Sequence, residues 1–448
     1  MASLDLTLKY ATRHWVKEVP FVGGRCEQLV AGERADAGAW HCAREQGLRR
    51  SLERAAAALP AYAHLRGRIP KDGLFEFLQT LPIVGKAELV GQRDRYYPRG
   101  GRPWPWWSVG KTSGSTATPL DVFRSYDSVL WEQAVFLQHW GWAGWKPGDR
   151  QAVLRGDLVV PLSQNRPPFW FEDRAGRQLF ISTRHLNARN IAPIAEALER
   201  YAPAQLRAYP SAAYNLAVLL KQHGLRVKIR SVLTSSEALL PMQRELIEQV
   251  LGARVFDHYG MAERVAFGMQ CGAGHMHVHP LYSHVEIVDA DNRPTQGPGH
   301  VVGTTFHNLA MPLIRYKVDD IAEWGEGACP CGRSYPWFKR LQGRASDLLY
   351  DADEQPVTAG VVTFAFKGVP HIAKAQVVQA EPGRWQVRVV PLPGYGPAVT
   401  EQLLANFRTW VSANVELQLE QVPDIPVQAS GKYKWISQEH YVGDRRPQ

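Results

Sequence analysis

Residues 227–263 read VKIRSVLTSSEALLPMQRELIEQVLGARVFDHYGMAE. The stretch falls into three parts. VKIRSVLTS, rich in β-branched residues, predicts a short strand. LPMQRELIEQVLG predicts a helix, with Pro241 in the first turn, where its missing N–H costs nothing, and Gly252 at the end. ARVFDHYG predicts a second strand. A β–α–β rhythm of this kind argues for a largely parallel sheet covered by helices.

The same rhythm extends upstream. SVLWEQAVFLQHW (128–140), ARNIAPIAEALERY (188–201) and SAAYNLAVLLKQHG (211–224) carry apolar residues at helical spacing, the last stopped by Gly224. Residues 1–107 read as mainly helical and end in RGGRPWPWW, where Trp104, Trp106 and Trp107 either line a ligand entrance or pack a loop. Downstream the pattern changes. SHVEIVD (283–289) and HVVGTTFHN (300–308) alternate apolar and polar residues around a turn-rich segment and predict antiparallel strands. AKAQVVQA (373–380), WQVRVVPL (385–392) and the helix AVTEQLLANFRTWVSAN (398–414) form a separate α+β pattern. The boundary is expected near LQGRASDLLY (341–350), giving an N-terminal domain of 1–342 and a small C-terminal domain of 343–448.

Composition narrows the class. With 448 residues, 45% hydrophobic and 21% charged, the chain is globular and too long for one ordinary core. The net charge of +9 is modest, and no tract of five Lys/Arg appears, which argues against a nucleic-acid partner. The start, MASLDLTLKYATRHW, has no signal-peptide pattern, and no apolar run approaches the roughly 20 residues that span a bilayer. Five cysteines fit reduced thiols better than a disulfide framework, so a cytoplasmic location without membrane insertion is expected.

The segment TSGSTATP (112–119) is too poor in apolar side chains to pack a core. Its backbone amides and the hydroxyls of Thr112, Ser113, Ser115 and Thr116 around Gly114 suit a phosphate chain, although such segments are also ordinary surface turns. It lacks the Walker order. Further polar motifs follow: TSSEAL (234–239), DHYGMAE (257–263), RYKVDD (315–320), GRASD (343–347) and SGKYKW (430–435). The first places Glu237 after a strand, at the edge where open α/β sheets bind ligands.

In this order the segments resemble the adenylate-forming superfamily, in particular its phenylacetate–CoA ligase-like branch, which includes homologues associated with capsular-polysaccharide genes. The resemblance runs from about 111 to 435. It implies a large domain of β-sheets covered by helices and a small, mobile α+β C-terminal domain. It also implies roles. Thr112 to Thr116 would hold the β- and γ-phosphates of ATP; Ser235, Ser236 and Glu237 would lie on the adenine side; Tyr259, between His258 and Gly260, would stack on adenine. Glu263 would hold magnesium, Asp320 the ribose hydroxyls, Arg344 ribose or phosphate, and Lys432 the α-phosphate and the carboxylate under attack. Two departures stand out. Val318 and Asp319 replace the usual Thr-Gly before the aspartate, and Ser346 occupies the place of a hinge aspartate, with YDADEQPVTAG (350–360) where a glycine-rich run is usual.

Cys271, His277, Cys329 and Cys331 could close a tetrahedral structural zinc site, with His275 and His279 as alternative ligands; the other reading is buried free thiols beside loop histidines. The expectation is an AMP-forming carboxylate ligase that makes an acyl-adenylate, with Tyr209, Ser211 and Tyr214 lining a pocket for an aryl acid. The acyl group would pass to CoA; the alternative acceptor is an amine or hydroxyl in a biosynthetic pathway. A homodimer is compatible with this reading.

Overall fold

The computed structural model describes residues 22–35, 38–111, 120–157, 159–344, 348–353, 356–358, 362, 365–366, 368–381, 383–411, 414–426 and 435–437. Along the chain the early elements are helices: α1 (Gly23–Gly32), α2 (His41–Ala58), α3 (Leu74–Gln79), α4 (Lys86–Gly91) and α5 (Arg93–Tyr96). The hairpin β1 (Ser108–Lys111) and β2 (Asp121–Arg124) leads into α6 (Tyr126–Trp142). Next come β3 (Gln151–Leu154), β4 (Trp170–Asp173), β5 (Gln178–Ile181), α7 (Ile191–Tyr201), β6 (Gln205–Ala208) and α8 (Pro210–Gln222). The opening stretch then forms β7 (Ser231–Ser235), α9 (Pro241–Leu251) and β8 (Arg254–Gly260). It is followed by β9 (Phe267–Gln270), β10 (Met276–Val278), β11 (Ser283–Val288), β12 (Gly299–Thr305), β13 (Tyr316–Trp324) and β14 (Trp337–Arg344). The remainder holds β15 (Leu348–Tyr350), β16 (Pro356–Thr358), β17 (Ile372–Glu381), β18 (Arg384–Pro391), α10 (Pro397–Trp410), β19 (Glu416–Gln421) and β20 (Ile436–Ser437).

Two compact units result. One comprises residues 1–147 and 256–341; the other comprises 148–255 and 342–448. In the second unit β3, β5, β6 and β7 are parallel neighbours in the order β7-β6-β3-β5, with β4 antiparallel at the edge. Helices α7, α8 and α9 cover this sheet because their apolar stripes match its fully buried strands; Ile194, Leu198, Leu216, Leu220, Ile247 and Leu251 all lie in one core. Pro210 and Pro241 occupy N1 of α8 and α9, and Gly252 ends α9 at φ 59°. The strand expected over 227–235 is shorter than its apolar pattern suggests. Val227 and Ile229 are buried, yet the Ile229 N–H donates to Leu251 O at the end of α9 instead of to a strand. The last hundred residues carry the sheet β19-β18-β17-β20 with α10, packed on Trp385, Leu403 and Phe407.

In the first unit the strands run β11-β12-β13-β14-β10-β9-β8 and, wherever their pairing is resolved, are antiparallel, as the alternation after residue 283 predicts. The helical N-terminal part packs on one face through Leu48, Leu52, Leu74 and Leu78. It is tied to β13 by Arg315, a residue in the left-handed region at φ 44°. The Arg315 guanidinium donates to Gln79 O and Leu81 O, at 2.8 and 2.7 Å, and makes a bidentate pair with Glu286 at 3.1 and 3.0 Å. Both side chains of that pair are 5% exposed. Backbone bonds from Val84 N to Arg315 O and from Lys317 N to Val84 O extend the tie. Among the described residues no helix is long and apolar enough to cross a membrane.

The pair generates a prediction. Glu286→Ala leaves the Arg315 charge buried with only carbonyl partners. Urea unfolding should show a loss of about 3–5 kcal/mol; an unchanged midpoint would mean that water reaches the guanidinium.

Candidate active site

At the carboxyl edge of the parallel strands in the second unit, the predicted residues Tyr209, Ser211, Ser235, Ser236 and Glu237 gather. Glu237, just past β7, accepts through Oε2 from the Ser211 N–H, at 3.0 Å, in the first turn of α8. A carboxylate there meets the positive end of the helix dipole, so Glu237 caps α8 whatever else it does. Ser235 Oγ accepts from Arg155 Nη2 at 2.7 Å and lies 3.4 Å from Ser236 Oγ; Ser236 is itself in the left-handed region at φ 72°. Arg155 also lies over the Tyr209 ring, 5.9 Å from its centroid. Tyr209 and Tyr214 pack against the core of this unit, and burial pushes the Tyr214 phenol up to about 12.

In the first unit β8 and β13 bring together the residues expected to handle nucleotide and metal. The Tyr259 hydroxyl donates to Asp320 Oδ2 at 2.7 Å. Tyr316 OH donates to Glu263 Oε1 at 3.1 Å, and both residues are buried. Burial, then the Glu263 charge, raise the Tyr316 phenol well above its ordinary value, so it stays a donor to the carboxylate. His258 is held by its Nδ1 against Gly268 O and packs on Phe267, 4.3 Å between ring centroids. A side chain on Gly260 would meet that imidazole at 2.9 Å. Asp319, the extra acid, is exposed while Val318 and Asp320 are not. Strand alternation turns it away from the face that carries Asp320.

The four metal-ligand candidates also converge. The ligand atoms of Cys271, His277, Cys329 and Cys331 all lie within 4.8 Å of one another. Cys271 Sγ to Cys329 Sγ is 3.7 Å and Cys331 Sγ to His277 Nε2 is 3.3 Å. A tetrahedral zinc with bonds of about 2.3 Å to sulfur separates its ligands by about 3.8 Å, so these two separations and the donor types suit the ion. His277 Nδ1 faces Tyr335 O at 2.9 Å, which makes Nδ1 the donor and directs Nε2 to the cluster. Of the two alternative histidines, His279 is engaged elsewhere, whereas His275 stays beside the cluster without joining the mutually close set. His279 contacts Gln138 Oε1 and the Leu281 N–H, and His275 stacks on Trp337 with its Nδ1 3.1 Å from Cys329 Sγ. Of the tryptophan cluster, Trp104 and Trp106 stack on each other at 4.8 Å with Arg99 over Trp104, and Trp107 packs on Phe123. The loop 112–119, Ser346 and Lys432 lie outside the described residues, and of Arg344 only its place at the end of β14 is described.

Comparison with known proteins finds similarity over most of the chain. Residues 349–439 match the CapK C-terminal domain model. Protein CapK of Staphylococcus aureus is 22% identical over 277 residues, 60% of each chain, so the match spans well under the full length of that relative. The phenylacetate-coenzyme A ligase of Thermus thermophilus is 26% identical over 323 residues, covering 68% of this chain and 70% of its own. Among solved structures, 2-hydroxyisobutyryl-CoA ligase in the postadenylation state, in complex with R3-HIB-AMP, shares the fold over 91% of each chain, with a TM-score of 0.68 at 18% identity. The chain is similar to adenylate-forming enzymes, in particular to the phenylacetate–CoA ligase-like branch.

The structure also shows which partners the sequence reading missed. Tyr316 lies inside RYKVDD but its bond to Glu263 crosses 53 residues. Arg155, which holds Ser235, is 80 residues away from it. Arg124 donates to Ala262 O at 2.7 Å from 138 residues away, and Arg264 donates to Ser128 Oγ and pairs with Glu132 on α6. No local pattern announces such pairs; only the charge and burial of each residue type hint that a partner must exist.

Removing the Tyr316 hydroxyl tests the Glu263 environment. Tyr316→Phe should cost about 1.5–3 kcal/mol, the range for a hydrogen bond to a charged group. The check is urea unfolding of the variant beside wild type at neutral pH; equal midpoints would show that the carboxylate does not depend on the phenol.

Proposed function

We propose that this protein is an ATP-dependent, AMP-forming ligase. A carboxylate oxygen attacks the α-phosphorus of ATP and pyrophosphate leaves; the CoA thiol, losing its proton, then attacks the acyl carbon of the acyl-adenylate and AMP leaves. The observation that carries the reading is the Tyr259–Asp320 bond beside the Tyr316-held Glu263, at strand ends of a fold shared with a ligase solved with an acyl-adenylate. An aromatic ring with a carboxylate on its hydroxyl offers a stacking face and a diol acceptor in one piece.

In this reading Tyr259, with His258 and Gly260 around it, receives adenine and Asp320 holds the ribose hydroxyls; the roles of Ser235, Ser236 and Glu237 as adenine-side residues rest on the sequence resemblance. Glu263 suits magnesium, because one carboxylate beside nucleotide phosphates is the usual donor set of that hard cation. Magnesium supplies charge neutralisation as pyrophosphate leaves. Attack of one anion on another needs positive potential and alignment, which Lys432 and the amides and hydroxyls of Thr112 to Thr116 provide. Lys432 and Arg344 belong to a mobile C-terminal domain that begins at 343; the CapK C-terminal match over 349–439 supports such a domain. Tyr209, Ser211 and Tyr214 give the acid site an aromatic wall with one polar side, which favours an aryl acid. Cys271, His277, Cys329 and Cys331 hold a structural zinc with no open position, so it takes no part in the chemistry.

A second acceptor class rests on one feature. YDADEQPVTAG replaces the glycine-rich run expected after residue 350, which in true CoA ligases helps to admit CoA, so an amine or hydroxyl acceptor is the competing outcome.

Pyrophosphate release measured against a panel of aryl and alkyl acids, with CoA and amines added separately, should be acid-dependent and yield AMP. Absence of acid-dependent release from folded protein rejects the ligase reading, and an amide without a thioester selects the second acceptor. Lys432→Ala should lower adenylation by about 100-fold or more, in the range for loss of a transition-state electrostatic contact, with unfolding unchanged. Metal analysis should find one zinc per chain, lost in Cys329→Ser/Cys331→Ser; an equal zinc content in that variant removes these ligands.

A further inference from the structure

We propose that Arg124 is a positioning residue for the metal-binding turn at Glu263, and that Gly110 exists to let it act. This rests on the ligase reading for the role of Glu263, while the geometry stands apart from it.

Strands β1 and β2 form an antiparallel hairpin in which Ser108 faces Arg124 and Gly110 faces Val122. Gly110 is therefore the diagonal neighbour of Arg124 on one face of the ribbon. A Cβ on Gly110 would fall 2.2 Å from the Arg124 Cζ and 2.2 Å from its Nη2, closer than any real contact. The guanidinium thus lies flat on the bare backbone of Gly110. From there Nη2 donates to the carbonyl of Ala262 at 2.7 Å, while Nε is buried without a partner. Arg124 is half-buried, and the Glu132 and Glu263 carboxylates also act on its charge; turning the Ala262 carbonyl away removes the 2.7 Å charge-assisted hydrogen bond that aims the guanidinium at this turn.

That carbonyl belongs to the peptide that leads into Glu263. The next residue, Arg264, stands at φ 60°, a conformation that side chains other than glycine rarely adopt. Its guanidinium is anchored on α6 by Ser128 Oγ and Glu132. The three-residue turn is therefore clamped at both ends, by Arg124 on the Ala262 carbonyl and by α6 on Arg264. Between the clamps only Glu263 projects to Tyr316. Strained backbone persists where the surroundings over-determine it, and such positions gather at functional sites. Arg264 secures the turn to a helix. Arg124 secures it to the hairpin whose strands flank residues 112–119 in sequence.

Binding separates a positioning role from a merely structural one. The probe is Mn2+ with ATP, titrated by paramagnetic resonance into wild type, Arg124→Met, Arg124→Lys and Gly110→Ala, each checked for melting temperature. Partners that orient a metal ligand typically change metal affinity by about 10- to 100-fold. Arg124→Met should lose affinity in that range while melting within a few degrees of wild type, and Arg124→Lys should recover part of it. Gly110→Ala, which touches neither metal nor turn, should shift affinity in the same direction by displacing the guanidinium. Where acid-dependent pyrophosphate release is measurable, kcat should fall with the KM for the acid unchanged. Wild-type affinity in Gly110→Ala together with Arg124→Lys or Arg124→Met overturns the proposal, even if one of the variants fails to fold. Wild type that binds Mn2+ with ATP but releases no pyrophosphate with any acid rejects the ligase reading and leaves the positioning result intact. Wild type that binds no Mn2+ with ATP overturns both.

Discussion

The buried pair of Arg315 and Glu286 constrains the unit that carries Tyr259, Glu263, Tyr316 and Asp320. A guanidinium at 5% exposure needs its donors answered, and its partners come from two separate pieces: β11 through Glu286, and the segment at Gln79 and Leu81. Burial raises the Glu286 carboxyl above its ordinary value despite the cation beside it. The pair therefore contributes less to net stability than to uniqueness, since any register that separates the partners strands a charge. Tyr316 follows Arg315 directly, so the arginine that docks the helical N-terminal part also sets where β13 starts. Tyr316 and Asp320 inherit their positions from it.

The same logic recurs around each candidate group. Glu263 is held by a phenol, Ser235 by a guanidinium, Glu237 by a helix N-terminus and Asp320 by the Tyr259 hydroxyl. Each functional oxygen has a partner brought from a distant part of the chain. Such arrangements keep a polar group oriented before any ligand arrives, which is the condition for electrostatic stabilisation of a charged transition state. The cysteine and histidine cluster follows the pattern as well, with Tyr335 O fixing the orientation of His277.

Legibility varied with the range of the interaction. The helices α6 to α10 were readable because apolar spacing, N1 prolines and terminal glycines are local signals, and the antiparallel strands because alternation is local too. VKIRSVLTS shows the limit. Its first half is as apolar and β-branched as its second, but the Ile229 N–H finds the end of α9 instead of a strand. Apolar content tells that a segment is buried, and only the packing tells which neighbour takes its backbone. In the site, the acids and aromatics were readable as motif residues. Asp319 was not: a second acid beside Asp320 has the same composition whether it faces a ligand or water, and strand alternation decided it.

The sequence by itself determined the alternation of helices and strands around 227–263, the antiparallel pattern after 283, a resemblance to adenylate-forming enzymes, and the residue types available for binding nucleotide and metal. These follow from periodicity, turn chemistry and motif order, all carried within short windows. Only the tertiary structure decided that Tyr316 holds Glu263, that Arg155 holds Ser235, that His277 and not His279 joins the three thiols, and that Arg124 rests on Gly110 to grip Ala262. The physical reason is shared. A buried polar group must be satisfied, but which partner satisfies it depends on chain segments that meet across 50 or more residues, and no local pattern records that meeting.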